Sequence, residues 1–382
     1  MELNHYIMED VLESLIDYRG KTPKKSDEGI PALSAKSVKN GYIDYNECYY
    51  ISHEEYKRFM VRGFPKVGDV LLTTEAPMGM VARLDRDDVG IAQRLLTLRG
   101  REGVLDNDYL LYYLQSPIGQ HKLAERETGS TVTGIKQAEF RKIEIDIPDI
   151  EIQRKIAAVL NCIDLKIEKN KHINRNLSEQ AMTLYKKLVL DADDCTEGVL
   201  ADVADIVMGQ SPKGDTYNED GNGTVFFQGR AEFGDRFPTR RLFTTDPKRI
   251  ATENSVLMSV RAPVGDINVA YEECCIGRGL CSVRSKDNHQ SFVLYTMYSL
   301  KEQFDVYNGE GTVFGSINKG SMNGMTIQIP KKEIMDEFEE LVSPIDTMIK
   351  ANYDANCRLV AMRDSLIPKL MSGELDVSDL NI

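Results

Sequence analysis

The sequence has no tryptophan, few histidines and none of the common catalytic or nucleotide-binding motifs. Its five histidines do not cluster along the chain: His5, His53, His121, His172 and His289. There is no P-loop, no Rossmann glycine motif after a strand, no H-E-x-x-H and no G-x-S-x-G. The stretch GTVFGSINKG comes closest to a P-loop but has the wrong spacing. We therefore expect no catalytic site and no metal site in this chain.

Long apolar runs, paired cysteines and excess positive charge are also lacking. No segment approaches the roughly 18 apolar residues that span a bilayer, and the start MELNHYIMED does not resemble a signal peptide. The seven cysteines show no metal-ligand spacing, and the adjacent Cys274 and Cys275 lie in an apolar run typical of a buried strand. These features predict a cytoplasmic protein with reduced thiols. The net charge of −13 restricts any nucleic-acid site to a local patch.

What the sequence does contain is a duplication. GSTVTGIKQAEFRKIEIDIP at residues 129–148 aligns without a gap with GTVFGSINKGSMNGMTIQIP at residues 311–330, an offset of 182. The same offset continues through the following forty residues, and weaker similarity extends upstream. The chain is therefore predicted to be a tandem internal repeat.

Each copy combines two patterns. About 140 residues of short alternating strands, turns and helical pieces are followed by a heptad pattern. This predicts an α+β fold of two similar globular domains separated by two long helices, with a pseudo-two-fold internal repeat. We expect a first domain over residues 1–150, a first helix over 151–190, a second domain over 191–330, and a second helix with a tail over 331–382.

The two heptad segments are predicted to pair as an antiparallel coiled coil. The first carries a net charge of +4 and the second −4, and opposite charge favours pairing. Asn170 and Asn352 occupy the central a positions, where facing asparagines fix register, so we expect these two to lie opposite each other. Pro344 and Pro368 should kink or fray the second helix near its ends. The alternative is that each apolar stripe packs only on its own domain.

The a, d and e positions define the expected coiled-coil seam. In the first helix they are Ile156, Val159, Leu160, Ile163, Ile167, Asn170, Ile173, Leu177, Leu184 and Leu188. In the second they are Phe338, Leu341, Val342, Ile345, Met348, Ile349, Asn352, Leu359, Leu366 and Leu370.

Two basic stretches in an otherwise acidic chain are candidate DNA-contacting loops. RGKTPKK at residues 19–25 and QGRAEFGDRFPTRR at residues 228–241 lie early in the two copies. Lysine and arginine suit phosphate contacts, and glutamine and arginine suit purine edges in the major groove. The candidate DNA-binding residues are Arg19, Lys21, Lys24, Lys25, Lys36, Gln93, Arg94, Gln210, Lys213, Gln228, Arg230, Arg240, Arg241 and Arg278.

Together these features resemble the specificity subunit of Type I restriction-modification systems. The resemblance rests on EIQRKIAAVLNCIDLKIEKN at residues 151–170, DSLIPKLMSGELDV at residues 364–377, the strand IEIDIP and the repetition of the whole arrangement. It covers essentially the full chain. EIMDEFEELVSPID in the second helix departs from the pattern because it lacks the Gln-Arg-Lys element of the first.

The resemblance implies a noncatalytic, sequence-specific DNA-binding subunit of a prokaryotic restriction-modification complex. Each recognition domain would read one half of an asymmetric bipartite duplex site, and the helices would set the gap and dock two methyltransferase subunits, with restriction subunits as further partners. S-adenosylmethionine, ATP and magnesium are then expected on the partner subunits. The sequence does not give the target bases or the gap length. The alternatives are a coiled-coil scaffold that binds only proteins and an enzyme with an unrecognised site.

Overall fold

The chain folds into two compact units. The structure, a computed structural model, describes residues 2–18, 20–129, 133–192, 195–308 and 315–380. The first unit comprises Met1–Asn170 and Asp354–Ile382, and the second comprises Lys171–Tyr353. Each unit contains one globular part and a portion of each of two long helices.

In the part of the first unit that the structure describes, the strands form three small sheets. They are β1 (Asn4–Ile7), β2 (Leu12–Asp17), β3 (Ile30–Leu33), β4 (Tyr49–Ile51), β5 (Val70–Thr73), β6 (Val81–Arg83), β7 (Gly90–Ile91), β8 (Leu95–Gly100) and β9 (Glu144–Ile147). One sheet has the order β2-β8-β5-β6 and is antiparallel throughout, and a second has the order β4-β3-β7 with β3 parallel to β7. β1 and β9 form an antiparallel pair. All four residues of β5 are buried, so this strand is covered on both faces.

Among its described residues, the first unit also contains five short α-helices before the first long one. They are α1 (Met8–Val11), α2 (His53–Phe59), α3 (Asn107–Gln115), α4 (Pro117–Glu125) and α5 (Gln137–Phe140). The Asp106 side chain caps α3 by accepting from the backbone N–H groups of Asp108 and Tyr109. Ser116 ends α3, and its hydroxyl accepts from Gly119 N to cap α4. α3 is buried on nearly every side and forms the centre of this unit's main core.

The second unit repeats the four-stranded sheet, the parallel strand pair and the terminal antiparallel pair of the first, but its second sheet has five strands among the described residues instead of three. Its strands are β10 (Thr196–Val199), β11 (Ala204–Met208), β12 (Tyr217–Asn218), β13 (Thr224–Phe227), β14 (Leu242–Thr244), β15 (Ile250–Ala251), β16 (Val256–Ser259), β17 (Ile267–Val269), β18 (Cys274–Ile276), β19 (Leu280–Ser285) and β20 (Thr326–Ile329). The order β11-β19-β16-β17 matches β2-β8-β5-β6, and the parallel β13–β18 pair matches β3–β7. β10 pairs with β20 as β1 pairs with β9. The predicted α+β repeat is confirmed, and Cys274 and Cys275 lie in a buried strand as expected.

The short helices of the second unit are α7 (Leu200–Val203), α8 (Gln290–Ser299), α9 (Lys301–Asp305) and α10 (Lys319–Asn323). The two long helices, which both units share, are α6 (Ile150–Tyr185) and α11 (Lys332–Met371). α8 occupies the place of α3 and is likewise buried along most of its length. α6 continues as one π-helical turn over Lys186–Leu190.

The long helices pair antiparallel in each unit, but in a different register from the one expected. In the first unit Asn170 Nδ2 donates to Asn356 Oδ1 at 2.8 Å, and in the second Asn352 Nδ2 donates to Asn174 Oδ1 at 2.8 Å. The prediction that Asn170 faces Asn352 is therefore wrong by one helical turn. The reason is that Asn174 and Asn356, one turn further along, supply the opposing amides.

Both apolar stripes also pack on the globular parts. Ile156 and Leu160 of α6 lie in the core of the first unit, and Phe338 and Val342 of α11 lie in the core of the second. The expected seam is wrong at three positions, because Ile173, Leu341 and Met348 are exposed. A helix that faces both a partner helix and a domain buries a face that drifts from strict heptad positions.

The expected interruption of α11 at its prolines does not occur. The helix runs without a break past Pro344 and Pro368. Val342 and Ile349 flank the first proline, and Ile367 and Leu370 flank the second, and all four side chains are buried. This packing on both sides offsets the one backbone hydrogen bond that each proline removes. In the part of the chain that the structure describes, no helix is long and apolar enough to cross a membrane.

Candidate nucleic-acid interface

Three loops of the first unit meet at one edge of the globular part. The first follows β2 (residues 18 and 20–25), the second follows β3 (residues 34–36), and the third connects β7 to β8 (residues 92–94). The Thr22 hydroxyl donates to Gln93 Oε1 at 3.1 Å, which joins the first loop to the third. Ala92 N donates to Leu33 O at 2.8 Å, which joins the third to the end of β3. The structure thus brings the candidate residues of three separate sequence segments together.

Arg94 is held in an uncommon backbone conformation at this edge. Its φ is 69°, in the left-handed region that non-glycine residues rarely occupy. Thr74 N donates to Arg94 O at 3.0 Å, and Arg94 Nε lies 2.7 Å from Glu75 Oε1, so both the backbone and the guanidinium are fixed. Strained residues of this kind concentrate at functional sites. Gln93 and Arg94 are therefore presented in a defined geometry.

The lysines of the first loop are exposed on a fixed backbone. Lys24 N donates to Glu55 Oε1 at 2.9 Å, and this hydrogen bond is the main cause of the lowered pKa of Glu55. Lys25 Nζ lies 4.8 Å from the centroid of the Tyr49 ring. Lys21 and Lys36 are also exposed. The predicted Arg19 contact lies outside the described residues.

The second unit builds the corresponding edge from residues 209–213, 228–230 and 277–279. Gln210 N donates to Ile276 O at 2.9 Å, and Arg278 N donates to the Ser211 hydroxyl at 3.2 Å. The Ser211 contact matches that of Thr22, because each hydroxyl lies directly before a proline and contacts the turn before the last strand of its sheet. Gln210, Lys213, Gln228 and Arg278 are exposed at this edge.

Two glycines allow the loops of the second unit to approach closely. A Cβ on Gly277 would lie 2.8 Å from Gln228 Cα, and one on Gly279 would lie 2.8 Å from Gln228 O. Real Cβ atoms do not approach backbone atoms so closely, so side chains at these positions would force the loops apart. The position of Gln228 therefore depends on glycine in the neighbouring turn.

The remaining candidate arginines of the second unit are engaged in ion pairs. Arg230 pairs with Asp266, Arg240 with Glu272 and Arg241 with Glu232. Arg230 lies at the third residue after β13, as Lys36 does after β3. Arg240 lies over the ring of Tyr271, which packs against Tyr353 of α11 in a tilted arrangement. Phosphate contacts by these arginines require competition with a carboxylate, and their role in DNA binding stays a prediction.

Sequence reasoning missed the contacts that attach the globular parts to the long helices. Gln153 is fully buried: its Oε1 accepts from Asp106 N, and its Nε2 donates to Val104 O and Pro148 O. Arg236, inside the basic stretch 228–241, is buried and pairs with Asp346 of α11. Nothing in the local sequence distinguishes Arg236 from its exposed neighbours.

Comparison with known proteins identifies the family. The chain matches the Type I restriction modification DNA specificity domain twice, over residues 6–179 and 193–352. The chain belongs to this family. It is a Type I restriction-modification specificity subunit with two recognition domains, which is a noncatalytic role. The predicted family resemblance is therefore confirmed.

Individual specificity subunits are similar over most of their length. The MjaIX specificity subunit of Methanocaldococcus jannaschii is 27% identical over 391 residues, which cover 92% of this chain and 88% of that protein. The StySPI specificity subunit of Salmonella potsdam is 21% identical and covers 94% of this chain and 86% of its own length. The crystal structure of the Type I S subunit from M. genitalium has the same fold, with a TM-score of 0.60 and 16% identity, and the match covers 97% of this chain and 96% of that one.

Among the described residues, no group of three or more histidine, cysteine, aspartate or glutamate side chains is arranged to hold a metal ion.

Proposed function

We propose that each recognition domain reads one half of an asymmetric bipartite DNA site through its three-loop edge. The observation that carries this proposal is the repetition of the same edge with different side chains. Gln93 and Arg94 in the first unit correspond to Arg278 and Gly279 in the second, and Lys36 corresponds to Arg230. Two similar scaffolds with different donors and acceptors suit a target whose halves differ.

In this proposal some loop residues contact phosphates and others contact base edges. The exposed Lys24 and Lys213 follow equivalent prolines and suit phosphate contacts, which position each domain without reading sequence. Gln93 and Arg278 lie at equivalent turns and suit base edges. We assign residues 1–150 and 191–330 to the two recognition domains, and residues 151–190 and 331–382 to the spacer.

The spacer has two proposed roles, which are to set the gap between the half-sites and to dock partner subunits. Because the helix and domain arrangement occurs twice, we propose two methyltransferase subunits per chain, with restriction subunits as further partners. The partners would bring S-adenosylmethionine, ATP and magnesium. In the first unit the Gln153 side chain is fully buried against the recognition domain, so it is not available to a partner subunit. The neighbouring Arg154 is exposed and pairs with Glu151 at 2.9 Å.

The test uses the chain assembled with the methyltransferase encoded beside it. Gln93→Ala should relax the methylated motif at one half-site and Arg278→Ala at the other. Lys24→Ala should weaken binding to all duplexes similarly and reduce the slope of log K against log salt by about one. Lys122→Ala, on α4 outside the three loops, is the charge-matched control.

Other outcomes identify the competing functions. If the assembled complex binds no duplex in a salt-dependent, sequence-dependent way, the chain is a protein-binding scaffold. If the isolated chain modifies or cleaves DNA, it carries a catalytic site of its own. If Gln93→Ala and Arg278→Ala both alter the same half-site, the assignment of one half to each domain is wrong.

A further inference from the structure

Each unit contains a buried tyrosine that hydrogen-bonds to an aspartate of a long helix. In the first unit the hydroxyl of Tyr112, on α3, donates to Asp164 Oδ2 of α6 at 2.7 Å. In the second the hydroxyl of Tyr295, on α8, donates to Asp346 Oδ1 of α11 at 3.1 Å. Both tyrosines are 1% exposed, and the aspartates are separated by the repeat offset. The repeat thus preserves one connection between the recognition domain and the spacer.

An arginine completes each arrangement, but it comes from a different part of the fold. In the first unit Arg363 of α11 donates through Nη1 to Asp164 Oδ1 at 2.9 Å, so the arginine belongs to the spacer itself. The corresponding position of α6 in the second unit is Ala181, which is fully buried. There Arg236, from the loop between β13 and β14, pairs with Asp346 instead. The second recognition domain therefore supplies its own arginine.

Arg236 fixes its loop from several directions. Its guanidinium lies 5.8 Å from the Tyr295 ring centroid and 6.0 Å from that of Tyr298, and its carbonyl accepts from Val269 N at 2.9 Å. The ring of the next residue, Phe237, packs against that of Tyr353 of α11 in a tilted arrangement, with centroids 4.9 Å apart. The middle of residues 228–241 is thereby attached to α11.

The attachment of the loop to α11 depends on both members of the Arg236–Asp346 ion pair. Burial disfavours the charge of Arg236, but neighbouring Tyr298 and Asp346 outweigh burial and raise its pKa. Removing one partner of a buried pair leaves an uncompensated charge, which is more disruptive than replacing both. In the first unit the loops that carry Gln93 and Lys24 are outside the Tyr112–Asp164–Arg363 contacts. The two attachments therefore have different consequences for DNA reading.

We propose that Asp346 is a positioning residue, and that its pairing with Arg236 couples the DNA-reading loop 228–230 of the second recognition domain to the spacer helix. This inference rests on the proposed function. Loosening the second attachment should let residues 228–230 move relative to α11 and reduce discrimination at one half-site only. Loosening the first should leave base discrimination by its own loops intact.

The experiment compares methylation of three duplexes by the assembled complex. One is the cognate duplex, one carries a single changed base pair in the half-site assigned through Gln93→Ala, and one carries a change in the half-site assigned through Arg278→Ala. If the unmodified complex does not prefer the cognate duplex over both, the proposed function itself fails. If it does, the variants test the coupling alone.

The second-unit variants are Arg236→Met, Asp346→Asn and Tyr295→Phe, and the first-unit counterparts are Arg363→Met, Asp164→Asn and Tyr112→Phe. We expect Arg236→Met and Asp346→Asn to lower discrimination at the second half-site by about tenfold, of the order of one base contact, with the first half-site unchanged. Arg236→Lys should restore part of this discrimination, because it keeps the charge but not the planar pair of donors. Arg249→Met, at an exposed arginine of the same unit, controls for the lost charge.

A purely structural role predicts a different result. If the second-unit variants lower the rate on all three duplexes equally, or discriminate as the unmodified complex does, the coupling is refuted. If the Arg236→Met chain does not assemble with the methyltransferase, the Tyr295→Phe chain tests the coupling instead. This variant keeps the buried ring and removes only the hydrogen bond to Asp346. A loss of second-half discrimination in Asp164→Asn would also overturn the proposal.

Discussion

Asn170 Nδ2 of α6 donates to Asn356 Oδ1 of α11, and Asn356 Nδ2 in turn donates to Ile167 O at 3.4 Å. In the second unit Asn352 donates to Asn174, whose Nδ2 donates to Ile349 O at 3.2 Å. Each amide thus has a partner on the opposite helix. Unpaired amides at such positions are costly, so the pairs penalise any shifted register.

Replacing Asn170 alone with leucine should therefore destabilise the first unit by about 1–3 kcal/mol, because Asn356 would lose its partner. The double variant Asn170→Leu with Asn356→Leu should recover most of this loss, since two apolar residues then face each other. Urea unfolding of the singles and the double gives the coupling energy. Asn176→Leu, at an exposed position of α6, measures the helix-propensity effect alone. Additive effects of the two substitutions would contradict the pairing.

Gln153 provides a second test, in the first recognition domain. Its side chain satisfies three backbone groups at distances of 2.8 to 2.9 Å, so Gln153→Leu would leave them buried without partners. We expect a loss on the order of 2–4 kcal/mol in the free energy of unfolding. Gln180→Leu, at an exposed position of the same helix, should change it little. An equal effect at both positions would show that Gln153 is not an essential connection.

The sequence predicts the repeat, the α+β class and the long helices because these depend on periodicity and on strands such as IEIDIP. It does not predict the attachment of Asp164 and Asp346 to buried tyrosines, because a charged residue on an amphipathic helix usually faces solvent. Nor does it distinguish Arg236 from Arg240 in one basic stretch. These properties depend on which surface covers each residue, and that is decided by tertiary packing.

His289 should make the stability of the second unit depend on pH. Its imidazole lies 2.7 Å from Asp336 of α11 through Nε2 and 3.0 Å from Asp287 through Nδ1, and Glu339 is a further nearby carboxylate. Burial lowers the pKa of His289, but the hydrogen bond to Asp336 and the adjacent Asp287 carboxylate outweigh burial, so the pKa is raised above its ordinary value of 6.5.

A raised pKa in the folded state means that the stabilisation is complete below the unfolded pKa and is lost as the pH rises through the folded pKa. The stability advantage of the unmodified chain over His289→Gln should therefore be complete below about pH 6 and decline as the pH rises above 6.5. Thermal unfolding across this range measures it. His53→Gln, at an exposed histidine of α2, should leave the pH profile unchanged. A constant or rising advantage would refute the assignment.

The length of the spacer should determine the gap between the two half-sites. α6 leads from the first unit to the second and α11 leads back, so a change in one helix alone breaks the pairing. We therefore propose matched insertions of four helical residues, one between Asn170 and Asn174 and one between Asn352 and Asn356. Each asparagine pair then stays within its own unit, and each helix lengthens by about 6 Å.

Both half-site sequences should be retained, because each recognition domain keeps its own loops. The gap should lengthen by roughly two base pairs, since one step along the duplex is about 3.4 Å. Sequencing of the methylated motif in cells that carry the variant complex reads both features at once. The insertion in α6 alone should instead lower stability and assembly, because the opposing amides lose their register. New bases at either half with an unchanged gap would mean that the helices do not set the spacing, and that the assignment of recognition domains and spacer is wrong.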